Sequence, residues 1–255
     1  MFNALSNSSI LIIALSGFLG GVVRGYSGFG FALAAVPILS IGFPPGLAVP
    51  AVFPLELTIG LLTLPFEWKQ IDLRVLGRLI LGAAIGTPLG VTILRVLPSD
   101  LMRVIVGIVV VVAIVRALKK SIEVHPKSAL HLIVIGTASG CLNGGTAMSG
   151  PPVIVTLLDG HLSAAVARAT LIGFIAISAA FGVVASTLSG GYEGRALLIS
   201  AQMIPAVVLG CASGLAAYSL MPRRYYRAIS LTVLGLVVAI SIASTAWRVV
   251  ARQIY

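Results

Sequence analysis

Charge is scarce in this chain. Only 9% of its 255 residues are Asp, Glu, Lys or Arg, and seven are acidic. A soluble domain carries about 25% charged residues, so a water-facing surface is excluded for most of the molecule. The two cysteines, Cys141 and Cys211, both fall inside apolar runs, which supports neither a disulfide framework nor a cysteine metal cluster. No phosphate-binding loop of the G-x-x-x-x-G-K-[ST] type occurs, so direct ATP coupling within the chain is disfavoured. Met1 to Ser9 is polar and uncharged, without the basic start of a signal peptide, so Ile10 onward is read as mature membrane structure.

What fills the chain is apolar. Hydrophobic residues make up 58% of it, mean hydropathy is +1.11, and runs of about 20 apolar residues cover nearly its whole length. This predicts an all-α polytopic membrane protein with no separate soluble domain. The net charge of +10 comes mostly from Lys and Arg in short connections, so it is read as topology rather than as a nucleic-acid surface.

Two stretches break the apolar pattern. Gly20 to Pro37 places five glycines and Arg24 in an otherwise apolar run, and Gly140 to Pro152 (GCLNGGTAMSGPP) repeats the theme. Irregular backbone at membrane depth survives only where it is buried in protein or lines a cavity, and an ionisable residue there marks a pathway or a site. The first broken segment is read as two short half-helices, Ile10 to Val23 and Ser27 to Ser40. Full spans are predicted at Pro44–Phe66, Leu73–Leu97, Leu101–Leu118, Ala164–Leu188, Ala196–Leu220 and Tyr226–Trp247, and the second broken segment at Leu130–Leu158.

These elements fall into two halves, 1–120 and 130–255, joined by a basic connection at 121–129 that follows Lys119 and Lys120. Superposing Gly17 on Gly136 also matches Gly21 with Gly140, Gly25 with Gly144 and Leu39 with Leu158. After a five-residue slip, Gly86, Gly90, Pro98 and Arg103 meet Gly210, Gly214, Pro222 and Arg227. Matches at such residue types argue for an internal duplication.

The glycine patterns carry a resemblance. Gly17-Phe18-Leu19-Gly20-Gly21, then Gly25-Tyr26-Ser27-Gly28-Phe29-Gly30 and Val36-Pro37, together with Gly140-Cys141-Leu142-Asn143-Gly144-Gly145 through Ser149-Gly150-Pro151-Pro152, resemble the paired Gly-rich motifs of the sulfite exporter TauE/SafE family. The usual triple glycine is replaced by Gly28-Phe29-Gly30 and by Met148-Ser149-Gly150. The resemblance covers essentially the whole chain. It implies transport of small sulfur-containing or organic anions, such as sulfite and sulfonates, across the inner membrane of the cell.

The residues point the same way by themselves. A helix that restarts after a break presents unpaired amides and partial positive charge to an anion. The candidate substrate-binding set is Arg24, Ser27, Gly28, Gly30, Asn143, Gly144, Thr146, Ser149 and Gly150, joining backbone donors, hydroxyls, one amide and one guanidinium. Tight helix packing is the competing explanation for the glycines, and it is favoured outright for Gly86-x-x-x-Gly90 and Gly210-x-x-x-Gly214. Glu56, in the middle of its span, either carries a coupling proton or neutralises Arg24 structurally. Arg168 begins a span and faces either the site or the headgroups, the headgroups by default; Asp159 and His161 are read as solvated loop residues, and His125 and His131, near the basic loop, give no ligand pattern.

Three functions are compatible with this inventory: a secondary transporter for a small anion, a channel for the same class, and a non-transport assembly factor. The transporter leads, because the buried polar residues include no nucleophile, metal set or acid-base pair for an enzyme. Expected partners are a small anion, a coupling proton or sodium, the lipid bilayer and a second copy of the chain in a homo-oligomer. No cofactor, metal or nucleic acid is expected. Treating both broken segments as re-entrant divides the loop Lys and Arg more unevenly between the two faces, so the halves are expected to be inverted, with Lys69, Lys119, Lys120, Arg223 and Arg224 in the cytoplasm.

Overall fold

A computed structural model describes residues 7–118, 128–158, 162–190, 192 and 194–220. Among them are nine α-helices and no strand: α1 (Asn7–Ser27), α2 (Phe31–Gly42), α3 (Pro45–Glu67), α4 (Leu73–Val96), α5 (Ser99–Leu118), α6 (Ala129–Thr146), α7 (Gly150–Leu158), α8 (Ala164–Leu188) and α9 (Gly194–Leu220). The last sequence-predicted span, Tyr226–Trp247, lies outside the described residues, as do Asp159, His161 and most of the basic connection. Five helices, α1, α3, α4, α8 and α9, are long and apolar enough to cross a membrane.

Helix starts follow local chemistry. Pro44 and Pro45 open α3, where a missing N–H costs nothing. The Asp72 carboxylate accepts from the Arg74 and Val75 amides, both at 3.0 Å, to start α4, and Ser128 and Ser163 cap α6 and α8 in the same manner.

The break in the first segment falls later than the sequence suggests. The helix runs through Gly20, Gly21, Arg24 and Gly25 to Ser27, so α1 has 21 residues, about 31 Å at ~1.5 Å per residue, and is no half-helix. Its glycines stay helical because the space their side chains would need is taken by α2 at Gly20 and by α9 at Gly21 and Gly25. A Cβ at Gly21 would stand 2.6 Å from the Val207 carbonyl oxygen, and one at Gly25 would stand 2.3 Å from that of Cys211. Only α2, with 12 residues, and α7, with 9, are short.

The same contacts fix direction. α1 and α9 run side by side in one direction, with Gly17, Gly21 and Gly25 opposite Met203, Val207 and Cys211. α4 and α6 form a second such pair, with Gly82, Gly86 and Gly90 opposite Ile133, Thr137 and Cys141. α3 runs with α1, since Arg24 reaches Thr63 and Glu56 reaches Ala32. α8 runs against α3, with Gly182 at Phe53, Ala176 at Gly60 and Arg168 at Glu67. α4 starts beside α8, where the Asp72 amide donates to Thr170 Oγ1 at 3.0 Å. The first helix of the leading set, α1, therefore points opposite to the first helix of the following set, α6.

α2 folds back along α1, with Phe31 beside Gly20, the Ala35 carbonyl accepting from Ser16 at 2.8 Å, and Gly42 beside Ile12. α7 likewise begins beside Ser139, well before the end of α6, where the Ser139 hydroxyl donates to the Ser149 carbonyl. Gly20 and Ser139 are equivalent positions in the sequence superposition.

The core has two clusters. One gathers α2 with the first half of α3 around Phe31 and Phe53, and the other gathers α4, α7 and α8 around Leu79 and Phe174. Large apolar residues such as Leu81, Ile85 and Leu89 on α4 and Val208 and Leu215 on α9 are exposed, the side chains a lipid phase accepts.

Prolines inside α3 leave carbonyls without helical partners. Pro54 has no N–H to offer the Pro50 carbonyl, and the Tyr192 hydroxyl supplies the missing donor at 2.9 Å. Burial pushes the Tyr192 phenol above its ordinary value, so its contribution is complete below pH ~10 and is lost as pH rises beyond that. Tyr192→Phe is expected to destabilise the protein by about 1–3 kcal/mol. A melting midpoint equal to the parent's would show that the bond contributes nothing.

Candidate functional site

The two breaks meet at the waist of the bundle. Glu56 is the central residue of α3, and Ile175 lies at the centre of α8. A small cavity there is lined by Phe29, Gly30, Ala32, Leu33 and Glu56 from one side and by Ala147, Met148, Ser149, Gly150 and Ile175 from the other. The first turns of α2 and α7 line it, and because Pro151 and Pro152 have no N–H, Gly150 is the amide that α7 offers from its first three residues.

Backbone geometry makes each turn possible. Gly28 and Gly30 have φ of 80° and 85°, a region glycine enters freely. Ala147, which superposes on Gly28, has φ 59°. A left-handed alanine costs roughly 1 kcal/mol or more, a strain that tends to gather at functional turns. It lets the Ala147 amide close α6 on the Asn143 carbonyl at 2.6 Å and turns Met148 and Ser149 toward the cavity.

Few of the sequence-nominated donors point inward. Ser27 donates to the carbonyls of Val23 and Phe29 and accepts from the Phe29 amide, so its hydroxyl shapes the first turn. Thr146 donates within α6 to Leu142 at 2.6 Å. Asn143 donates to the Ser178 carbonyl on α8 at 2.7 Å, while its Oδ1 has no partner among the described residues. Gly144 faces α4, where a Cβ would stand 2.1 Å from the Thr87 carbonyl oxygen. Gly30, Ser149 and Gly150 remain on the cavity wall, and the hydroxyl of Ser149, a residue 2% exposed, has no hydrogen-bond partner among the described residues.

Arg24 lies off the cavity toward the Lys69 end of α3. It is 4% exposed and donates from Nη2 to Thr63 Oγ1 at 3.4 Å. Among the described residues the ion pairs are Arg103–Asp100 at 2.7 Å and Arg168–Glu67 at 4.0 Å, so Arg24 and Glu56 do not form one. Thr63 and Glu56 are seven residues apart on α3, two turns on one face, which puts them about 10 Å apart along the axis. Arg24 and Glu56 are within electrostatic range of each other.

Sequence reasoning missed two neighbours of the breaks. Arg168, assigned to the headgroups, is half-exposed but holds its guanidinium over the first turn: a Cβ at Gly28 would stand 3.0 Å from its Nε. Ile175 was detectable, because the offset that superposes Gly17 on Gly136 also carries Glu56 onto Ile175.

A family model described as Sulfite exporter TauE/SafE matches residues 13–242, most of the chain. The chain belongs to the TauE/SafE family. No curated protein and no solved structure matches it. A TauE/SafE chain is a membrane transporter of the sulfur-anion class, and this one is a multi-pass membrane protein with five apolar helices of spanning length among its described residues.

Proposed function

We propose that this TauE/SafE chain is a secondary transporter that carries a small sulfur oxyanion, sulfite or a sulfonate, across the cytoplasmic membrane, held between the tips of α2 and α7. The observation that carries the reading is the convergence of two helix N-termini on one buried cavity beside the unpartnered Ser149 hydroxyl. Such ends supply about half a positive charge each without an exposed cation. The opposed directions of α1 and α6 suit a pair of inverted repeats that rock about a central site. A carrier fits better than a channel, because the cavity has only about 10 Å³ for the centre of a water-sized molecule, close to a single water. The end of the bundle carrying Lys69 and Arg74 faces the cytoplasm in this reading. α5 and α9 also finish there, and the sequence continues from them to Lys119, Lys120, Arg223 and Arg224.

The test is counterflow in proteoliposomes with sulfite, thiosulfate, ethanesulfonate and acetate. Saturable exchange of a sulfur oxyanion is expected. Current without exchange would make the protein a channel, and exchange of acetate alone would remove it from the sulfur class. Ser149→Ala is expected to keep the parent's melting midpoint, since its hydroxyl holds nothing in the fold, and to weaken anion binding about 10-fold, as one donor to a charged group is worth ~1.5–3 kcal/mol. Undiminished binding would place the anion elsewhere.

A further inference from the structure

One of the two helix ends facing the cavity already holds a carboxylate. Glu56 Oε1 accepts from the Ala32 amide at 3.3 Å, and Ala32 is the second residue of α2, where amides have no helical partner. The other oxygen, Oε2, is buried without a hydrogen-bond partner among the described residues. At the start of α7 the superposed residue is Ile175, whose Cδ1 would stand 3.8 Å from a Cβ at Gly150. The α2 end is thus occupied by an acidic side chain of the protein itself, while the α7 end meets a hydrocarbon. The remaining space suits about one water, too little for an oxyanion with three oxygens.

We propose that Glu56 is a tethered stand-in for the substrate: its carboxylate seats on the α2 terminus when no anion is bound, and it leaves on taking a proton, so that one proton accompanies each singly charged oxyanion. This rests on the transport reading above. Charge decides the stoichiometry. With Glu56 ionised, Arg24 on α1 and the carboxylate on α3 balance at membrane depth. With Glu56 protonated and a monoanion bound, the region carries the same total charge, the two helix ends included, whereas a dianion shifts that total by one unit in a low-dielectric setting. The other groups facing this region do not alter that count. Cys211 of α9 faces Arg24, and Arg168 of α8 sits by Glu67 at 4.0 Å over Gly28. α2, α6 and α7 contribute no ionisable side chain to the cavity wall. The substrate class narrows to singly charged oxyanions, sulfonates or hydrogen sulfite.

Ethanesulfonate is the probe of choice, because it stays ionised across pH 5 to 8 and any pH dependence then belongs to the protein. In proteoliposomes with a trapped pH dye, an ethanesulfonate gradient across the parent is expected to move protons in the same direction. Apparent affinity should fall about tenfold per pH unit above the titration of Glu56. Glu56→Gln should bind ethanesulfonate without the pH slope and move no protons with whatever ethanesulfonate it carries. Net ethanesulfonate flux down its gradient through the parent without proton movement overturns the proposal without any variant, as does a parental pH slope in Glu56→Gln. Failure of the parent to exchange ethanesulfonate, sulfite or thiosulfate is a different result and overturns the transport reading itself.

Discussion

Alanine at Gly86 is expected to cost the protein most of its stability, while alanine at Gly77, nine residues earlier on the same helix, is expected to cost nothing. A Cβ at Gly86 would lie 2.0 Å from the Thr137 carbonyl oxygen and 2.8 Å from the Cys141 nitrogen. Both are backbone atoms, so no rotamer change relieves the clash and α4 must move away from α6. That movement also opens the contacts at Gly82 and Gly90, whose missing Cβ atoms would sit 2.1 and 2.0 Å from the carbonyl oxygens of Ile133 and Cys141. Helices in lipid have little hydrophobic drive to associate and depend on this close packing. Overpacking against movable side chains costs typically ~1–3 kcal/mol, so a rigid backbone clash belongs at or above the top of that range. Gly77 has nothing within 4 Å of its Cβ position, and helix propensity favours alanine there by ~0.8–1.0 kcal/mol. Gly210→Ala should repeat the Gly86 result, since its Cβ would stand 2.2 Å from the Phe18 carbonyl oxygen. Melting followed by gel filtration separates the cases. A Gly86→Ala midpoint matching that of Gly77→Ala would show that the α4–α6 contact does not hold the bundle together.

The spans were legible because hydrocarbon leaves little choice. A run of some 20 apolar residues between polar or turn residues can only be a helix at that depth, and α8 begins and ends at the residues read from the sequence. The position of the first break was not legible. Gly20, Gly21 and Gly25 carry the composition of an unwound segment, but they stay helical because α2 fills the space beside Gly20 and α9 that beside Gly21 and Gly25, a tertiary cause with no local signature. The same ambiguity governs the candidate site. In sequence, Gly144 and Gly150 belong to one motif; in space, Gly144 faces the α4 backbone and Gly150 faces the cavity. A glycine that admits a neighbouring helix and a glycine that admits a ligand look identical in one dimension. Hydroxyls behave likewise, for Ser27 is spent on its own turn while Ser149 is not. The hydrogen bond from the Ala32 amide to Glu56 joins residues 24 apart and is visible only once α2 folds back along α1.

Arg24→Met is expected to hold or raise the melting midpoint while weakening anion binding by about 10- to 100-fold. The stability half follows from the surroundings. Arg24 is 4% exposed, its one described hydrogen bond, to Thr63, is 3.4 Å long, and no carboxylate of the described residues stands within ion-pair distance. A buried charge held so loosely is a cost to the fold, and an apolar side chain of similar length removes it. The binding half follows from field strength. In a water-excluded site a single guanidinium acts over two helical turns, and a charge-assisted interaction is worth ~1.5–3 kcal/mol, which converts to roughly 10- to 100-fold in affinity. Arg24→Lys retains the charge but not the planar fork, so it should fall between Met and the parent if the anion or Thr63 uses that geometry. Thermal melting and equilibrium binding of ethanesulfonate, run on the same purified samples, distinguish the two roles. A residue kept for function gives a stable variant that binds poorly. If Arg24→Met melts early and Arg24→Lys restores melting and binding together, Arg24 is a packing residue and the positive charge that completes the anion site must come from the two helix ends alone.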